Sequence, residues 1–242
     1  MPKNIYTFWE GPMPAYIKLC MDTWKFPFVL LDYNNVNKYT DLPINAKLTR
    51  FNLPKIADCV RVHVLRDQGG YWLDADTIMI TDKLPETNMI GYPETRGNTC
   101  GYLYAPEPNL PLFDEWATYQ DAAIRNPTTT HHWSVMANMF SDPYAKAHPE
   151  ITIAPVRKCW PETYMIGGDE PRHVKYGHFY FDRNYHLADI EPTDMLMLHN
   201  SWTPGWYKDM SQDEILTEDR TLSNILRELK ESGKMTTHYC PS

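Results

Sequence analysis

The chain has 242 residues and only five cysteines, an odd number, with no C-x-x-C spacing. That argues against a zinc site or a disulfide framework and fits a reducing compartment. No apolar run approaches the roughly 20 residues needed to span a bilayer. Met1-Pro2-Lys3-Asn4 carries no apolar segment of the secretory type, so no signal peptide is expected. Positive charge is also scarce: 23 Lys and Arg face 31 Asp and Glu, a net charge of −8 with a pI near 5.6. A nucleic-acid binder would show a basic stripe, and none is present. Gly11-Pro12 is no Gly-rich phosphate loop, which weighs against a metal-dependent nucleotidyltransferase or hydrolase. Internal repeats and low-complexity tracts are absent. The expected location is the cytoplasm, with peripheral contact at the inner membrane face compatible with it.

What is present suits one sizeable core. Hydrophobic residues make up 43% of the chain, and its length suits a single domain over residues 1–242. Strand and helix signals alternate through residue 80, as in an α/β, Rossmann-like sheet. Residues 88–94 and 99–105 read as further strands around Thr95-Arg96-Gly97-Asn98. Pro108 to Arg125 reads as a helix with Leu112, Trp116 and Tyr119 on one side, and His131 to Phe140 as a shorter one. Ile151–Pro155 reads as a strand. Residues 156–193 read as irregular loops, with a hairpin near Gly177–Phe181. Ser211-Gln212-Asp213-Glu214 is a capping box, after which Leu222, Ile225, Leu226 and Leu229 form a stripe that Gly233 ends. That helix is expected to pack on the sheet, because Glu218, Asp219, Glu228 and Glu231 make its other face too acidic for an anionic membrane. About residues 1–105, 106–210 and 211–233 form the three successive parts.

The densest chemistry lies in Gly69-Gly70-Tyr71-Trp72-Leu73-Asp74-Ala75-Asp76. A Gly-Gly break followed by aromatic and β-branched residues predicts a strand. On a strand running through this stretch, Asp74 and Asp76 share one face. Two carboxylates in apolar surroundings repel each other unless a proton or a cation joins them. Oxygen ligands suit Mg²⁺ or Mn²⁺, and such an ion would hold nucleotide phosphates. Just upstream, Ala57–Leu65 reads as a helix whose apolar stripe is Ile56, Val60, Val64 and Leu65. Asp58 and Arg61 are three apart on another face of it.

This arrangement resembles the pattern A-D-x-x-R-x-x-x-L-x-x-x-G-G-x-Y/W-x-D-x-D of the DXD sugar transferases. These include the capsular polysaccharide synthesis proteins and the related α-mannosyl- and α-galactosyltransferases, and large clostridial glucosylating toxins share the layout. Asn4–Trp9, Pro14–Lys25 and Val29–Asp32 resemble the family's first strand, first helix and second strand. Leu198-His199-Asn200-Ser201-Trp202 resembles its closing motif. The resemblance covers residues 4–105 and is loose over 106–195, where the T-G-P segment of many relatives is lacking.

The resemblance implies a GT-A fold: a Rossmann-like sheet with helices on both faces and a mixed acceptor-side portion. It implies metal-dependent, retaining transfer of a hexose from a nucleotide sugar, UDP-linked first of all, to a saccharide or lipid-linked glycan. By the same resemblance Asp76 ligates the metal and Asp74 touches the ribose and the metal. Asp58 accepts bonds from sugar hydroxyls, Arg61 reaches the sugar or diphosphate, and Asn98 lies near the sugar. His199 completes the metal shell, which favours Mn²⁺ over Mg²⁺, and Ser201 and Trp202 contact the diphosphate. Thr7, Phe8 and Trp9 end the first strand, where ligands of open α/β sheets bind, and an aromatic there could stack on uracil. Each residue has a plainer reading. Asp58 and Arg61 could be a solvated helix pair, worth about 0.3–0.5 kcal/mol. His199, Phe8 and Trp9 could be core residues, and His131, His132, Asp169 and Glu170 could lie on surface loops. The rival of another class is a non-catalytic sugar-nucleotide-binding or scaffolding subunit with a degenerate site, and the retention of Asp58, Arg61, Asp74, Asp76 and His199 speaks against it.

Overall fold

The computed structural model describes residues 4–42, 51–91, 98–126, 132, 134–155 and 159–236. The chain forms two compact units that interleave in sequence. Unit 1 takes residues 1–11, 28–74 and 85–155; unit 2 takes 12–27, 75–84 and 156–242. Residue 105, the expected boundary between halves, falls inside unit 1.

Unit 1 is an α/β layer around a six-stranded sheet. Its strands are β1 (Ile5–Phe8), β2 (Phe28–Leu31), β3 (Gly70–Leu73), β5 (Met89–Gly91), β6 (Asn98–Ala105) and β7 (Ile153–Pro155). Their spatial order is β2-β1-β3-β6-β5-β7. β1 runs parallel to β2 and β3, β5 runs parallel to β7, and β6 is antiparallel to both β3 and β5. The Rossmann-like α/β class expected from the alternation is therefore found, on a mixed sheet. β1 and β3 are buried at every position, as suits central strands with unbroken apolar runs.

Helix α2 (Leu53–Gln68) packs on β1, β3 and β6 and against α3 (Pro111–Arg125). Its stripe is the expected one: Ile56, Val60, Val64 and Leu65 are all buried. His63 is buried as well, with Nδ1 2.9 Å from the Cys59 carbonyl and Nε2 3.3 Å from Asp121 of α3. Helix α4 (Asn138–Ala147) lies against β6. It begins where the expected 131–140 helix was to end.

The Gly69-Gly70 break is required by space as well as by backbone angle. Both have positive φ, 65° and 93°. Gly69 ends α2, its N–H donating to Leu65 O at 2.9 Å. A Cβ on Gly70 would lie 2.5 Å from the Asn4 carbonyl oxygen, a backbone atom of the neighbouring strand segment.

Unit 2 is mostly helical. It holds α1 (Ala15–Asp22), α5 (Glu162–Met165), α6 (Arg172–Phe181), α7 (Gly205–Lys208), α8 (Gln212–Thr217) and α9 (Thr221–Glu231). Its two strands, β4 (Thr77–Met79) and β8 (Met195–Met197), form an antiparallel ladder. The hairpin expected near Gly177 is instead the middle of α6. Tyr176, Phe179 and Tyr180 recur at helical spacing and are buried, and Gly177 has nothing within 4 Å of a Cβ position. The capping box forms: Glu214 N–H donates to Ser211 Oγ at 3.3 Å and Ser211 N–H to Glu214 Oε2 at 2.8 Å. Helix α9 packs mainly on α6 and α8 rather than on a sheet. Among the described residues no helix is long and apolar enough to cross a membrane.

Gly70→Ala is expected to lose about 3 kcal/mol of stability, from backbone overlap plus left-handed strain. Urea denaturation measures it; a loss under about 0.5 kcal/mol would show that the strands part without cost.

Candidate functional site

In unit 1 the site grows from one turn of α2 and the end of β3. Arg61 Nη2 lies 3.2 Å from Asp58 Oδ1 and 3.1 Å from Asp74 Oδ1. Its Nη1 donates to the Cys100 carbonyl on β6, and its Cζ is 5.3 Å from the centroid of the Trp72 ring. Trp72 Nε1 donates to the same Asp74 oxygen at 2.8 Å. The Arg61 side chain is only 7% exposed. This is no solvated helix pair: a buried cation is clasped between two carboxylates and a carbonyl. The groups that Arg61 was expected to offer the sugar or diphosphate are turned onto protein acceptors. Burial pushes Asp58 up to about 6; Arg61 opposes the rise and Asp74 adds to it.

The other unit 1 expectations divide. Thr7 and Phe8 are buried, and Phe8 packs on Tyr33 at 5.7 Å. Trp9 is half-buried at the strand end, its N–H donating to Leu31 O at 2.9 Å. Asn98 is buried in a latch between β6 and α4. Its Nδ2 donates to Asp142 Oδ1 at 2.6 Å, its Oδ1 accepts from Ser141 Oγ at 3.0 Å, and its carbonyl accepts from Asn138 Nδ2 at 2.6 Å. The latch ties up the amide expected near the sugar. His132 holds Ser134 Oγ at 2.9 Å, and His131 lies outside the described residues.

The Asp-Ala-Asp stretch differs from the expected strand. β3 ends at Leu73, β4 starts at Thr77, and residues 75–76 form a turn between strands of different sheets. Asp74 N–H still donates to Gly101 O at 2.8 Å, the last rung beside β6. Beyond it the chain leaves to pair with β8. The carboxylates therefore do not share a strand face.

In unit 2 the β4–β8 ladder joins segments far apart in sequence. Leu198 N–H donates to the Asp76 carbonyl at 3.1 Å, and Asn200 N–H to Asp76 Oδ2 at 2.8 Å. Tyr16 Oη donates to Asn200 Oδ1 at 2.5 Å. Asp76 is thus held by the backbone of Leu198 and Asn200. Residues 200–202 form a turn, closed by Trp202 N–H donating to His199 O at 2.9 Å. Ser201 is exposed and Trp202 half-buried, its ring 4.0 Å from that of His199.

Arg172, Glu162 and Trp160 join this cluster and were not read from the sequence. His199 Nε2 is 2.7 Å from Arg172 Nη2, and Arg172 Nε donates to Glu162 Oε1 at 3.1 Å. Burial, with Arg172 adjacent, holds His199 down to about 3, so the ring is neutral. Burial pushes Glu162 up to about 7 against the pull of Arg172. The signal that could have found Arg172 was Pro171-Arg172 at the head of the Tyr176-Phe179-Tyr180 stripe, which Gly177 disguised. Asp169 and Glu170 are exposed.

Carboxylate oxygens such as those of Asp74 in unit 1 and of Asp76 in unit 2 are of the hard type that a divalent cation takes. Within either unit, no three His, Cys, Asp or Glu side chains among the described residues form a ready cage.

Asp58 generates a pH prediction. Its folded pKa, about 6, lies above the ordinary value of about 3.9. The folded state then holds the extra proton between those values, so stability falls as pH rises through that window. Asp58→Asn in chelator should reduce that fall. Denaturant midpoints at pH 4 and pH 6.5 measure it, and parallel curves for parent and variant would contradict it.

Residues 1–99 match the family described as capsular polysaccharide synthesis protein. No curated protein matches the chain. Among solved structures the chain is similar to the apo-form glycosyltransferase GlyE of Streptococcus pneumoniae TIGR4, at 12% identity and a TM-score of 0.38. That alignment covers 98% of this chain and 65% of the other, so the chain spans about two-thirds of that protein's structure.

Proposed function

We propose that this protein is a metal-dependent glycosyltransferase. It would move a hexose from a nucleotide sugar, UDP-linked first of all, to a hydroxyl of a saccharide or lipid-linked glycan. The observation that carries the reading is the bond from Asn200 N–H to Asp76 Oδ2, across 124 residues of sequence. It ties the second aspartate of the Asp-x-Asp motif to the segment that resembles the family's closing motif. The match of residues 1–99 to a capsular polysaccharide family supports the same class.

The roles follow from chemistry. Asp76 and Asp74 would hold Mn²⁺ or Mg²⁺, with His199 as a further ligand. When bound, the cation supplies Lewis-acid neutralisation of the departing diphosphate. Asp58 would accept hydrogen bonds from donor-sugar hydroxyls. Arg61, clasped between Asp58 and Asp74, sets where their oxygens point and favours the charged form of Asp58. Trp9 would stack on uracil, and Ser201 and Trp202 would contact the diphosphate. In transfer, the bond from the anomeric carbon to the diphosphate oxygen breaks and the oxygen keeps the electron pair. The acceptor oxygen bonds to the same carbon from the same face, and its proton passes to the leaving phosphate.

Asp76→Asn should lower nucleotide release by roughly 10³-fold, about 4 kcal/mol of barrier, while the fold survives. Release from each of a set of nucleotide sugars, with Mn²⁺ and with EDTA, measures it. Turnover that persists in EDTA or in Asp76→Asn would sink the metal assignment. Tight donor binding with no release under any acceptor would favour the non-catalytic binding subunit.

A further inference from the structure

Lys55 stands in the first turn of α2 and is 5% exposed, a setting poorly suited to its charge. The head of a helix carries partial positive charge, which disfavours a cation there. That turn holds no acidic residue to offset it, and the cap residue, Asn52, gives no side-chain bond to the helix N–H groups. Asn52 Oδ1 instead accepts from Lys55 Nζ at 3.4 Å, a long contact to a neutral amide. Among the described residues no carboxylate closes an ion pair with Lys55. Its charge still reaches Asp58 and opposes the rise that burial gives that carboxyl. An ammonium has three donors, and a buried charge needs a partner.

Lys55, Asp58 and Arg61 follow one another along α2, each three residues and about 4.5 Å of rise from the next. Arg61 is the member that meets Asp74, the first aspartate of the Asp-x-Asp motif. Asp58, placed above on the donor-sugar hydroxyls, comes next, and Lys55 lies one turn beyond it. A sugar seated on Asp58 with its diphosphate toward Asp74 therefore turns its far edge to Lys55.

We infer, resting on the donor-sugar role proposed for Asp58, that Lys55 is a specificity residue that receives a carboxylate on the far edge of that sugar, so that the donor is a nucleoside diphosphate uronic acid. The carboxylate accepts from Nζ and lies at the positive head of α2, two favourable interactions for one group. Lysine suits the task because its charge is compact and its stem is long. A neutral hydroxymethyl group in the same place would leave the charge unmatched. The chain thus keeps, at a helix head, a residue that the helix itself disfavours, as is expected where function and stability compete.

The test is calorimetric titration, in Mn²⁺, of UDP and of two donor pairs. Each pair differs only at the sixth carbon: UDP-glucose with UDP-glucuronate, and UDP-galactose with UDP-galacturonate. The parent should bind the acidic member of one pair at least about tenfold more tightly, the least that a hydrogen bond to a charged group contributes. Lys55→Met should remove that preference and leave the affinity for UDP as in the parent, while Lys55→Arg should keep part of it. Without ligand, Lys55→Met should unfold in urea at the same or a higher midpoint, because a buried charge leaves the positive end of the helix. A lower midpoint would show Lys55 holding the fold rather than a ligand, and would overturn the inference. Equal affinity of the parent for both members of both pairs would overturn it with no variant needed, and would leave the donor reading standing. Weaker binding of UDP itself to Lys55→Met would assign the lysine to the diphosphate and overturn it as well. A parent that binds no UDP would overturn the donor reading and the inference together.

Discussion

A guanidinium buried between two carboxylates governs the sequence-distant geometry of unit 1. Arg61 cannot lose its charge, and a buried charge must be paired. Asp58 lies one helical turn away on α2, so the nearer partner comes from local structure. The farther partners, Asp74 and the Cys100 carbonyl, exist only if α2 lies across the ends of β3 and β6. Gly69 and Gly70 make that crossing possible, because the chain must reverse from helix to strand against the Asn4 carbonyl with no room for a Cβ. Trp72 completes the clasp, its indole N–H on the same Asp74 oxygen.

Unit 2 repeats the logic with different parts. Arg172 is stacked on Trp160, ion-paired to buried Glu162 and hydrogen-bonded to a neutral imidazole. Burial pushes Glu162 up to about 7, and the guanidinium of Arg172 offsets only part of that rise. The β4–β8 ladder supplies the register that sets Asp76 against Asn200. Each charged group is thus placed by a neighbour of opposite or complementary character, and each placement rests on a short piece of regular structure.

Local patterns were legible in the chain, and contacts across long separations were not. The stripe of α2, the strand Gly70–Leu73 and the Ser211–Glu214 box follow from spacing and type, because each is settled within a few residues, and the strand Ile5–Phe8 was legible through the family resemblance. Gly177 misled because a glycine carries the same letter in a turn and on the open face of a helix. The Asp-Ala-Asp turn was hidden because apolar residues flank it on both sides, which reads as one strand; only pairing with β8 splits it into two. Arg172 was hidden because its partners lie 10 and 27 residues away. Asn98 stands in a stretch that reads as site loop, yet Asp142 and Ser141 take its amide into a latch.

The central claim is that the Asp-x-Asp motif and the segment after β8 form a cation-dependent site for a nucleoside diphosphate. Calorimetric titration of UDP into the parent protein, once with Mn²⁺ and once with EDTA, tests it most directly. The account predicts binding with Mn²⁺ that weakens at least about a hundredfold in EDTA, within the range of couplings between linked ligands. Equal affinity in the two buffers would contradict it.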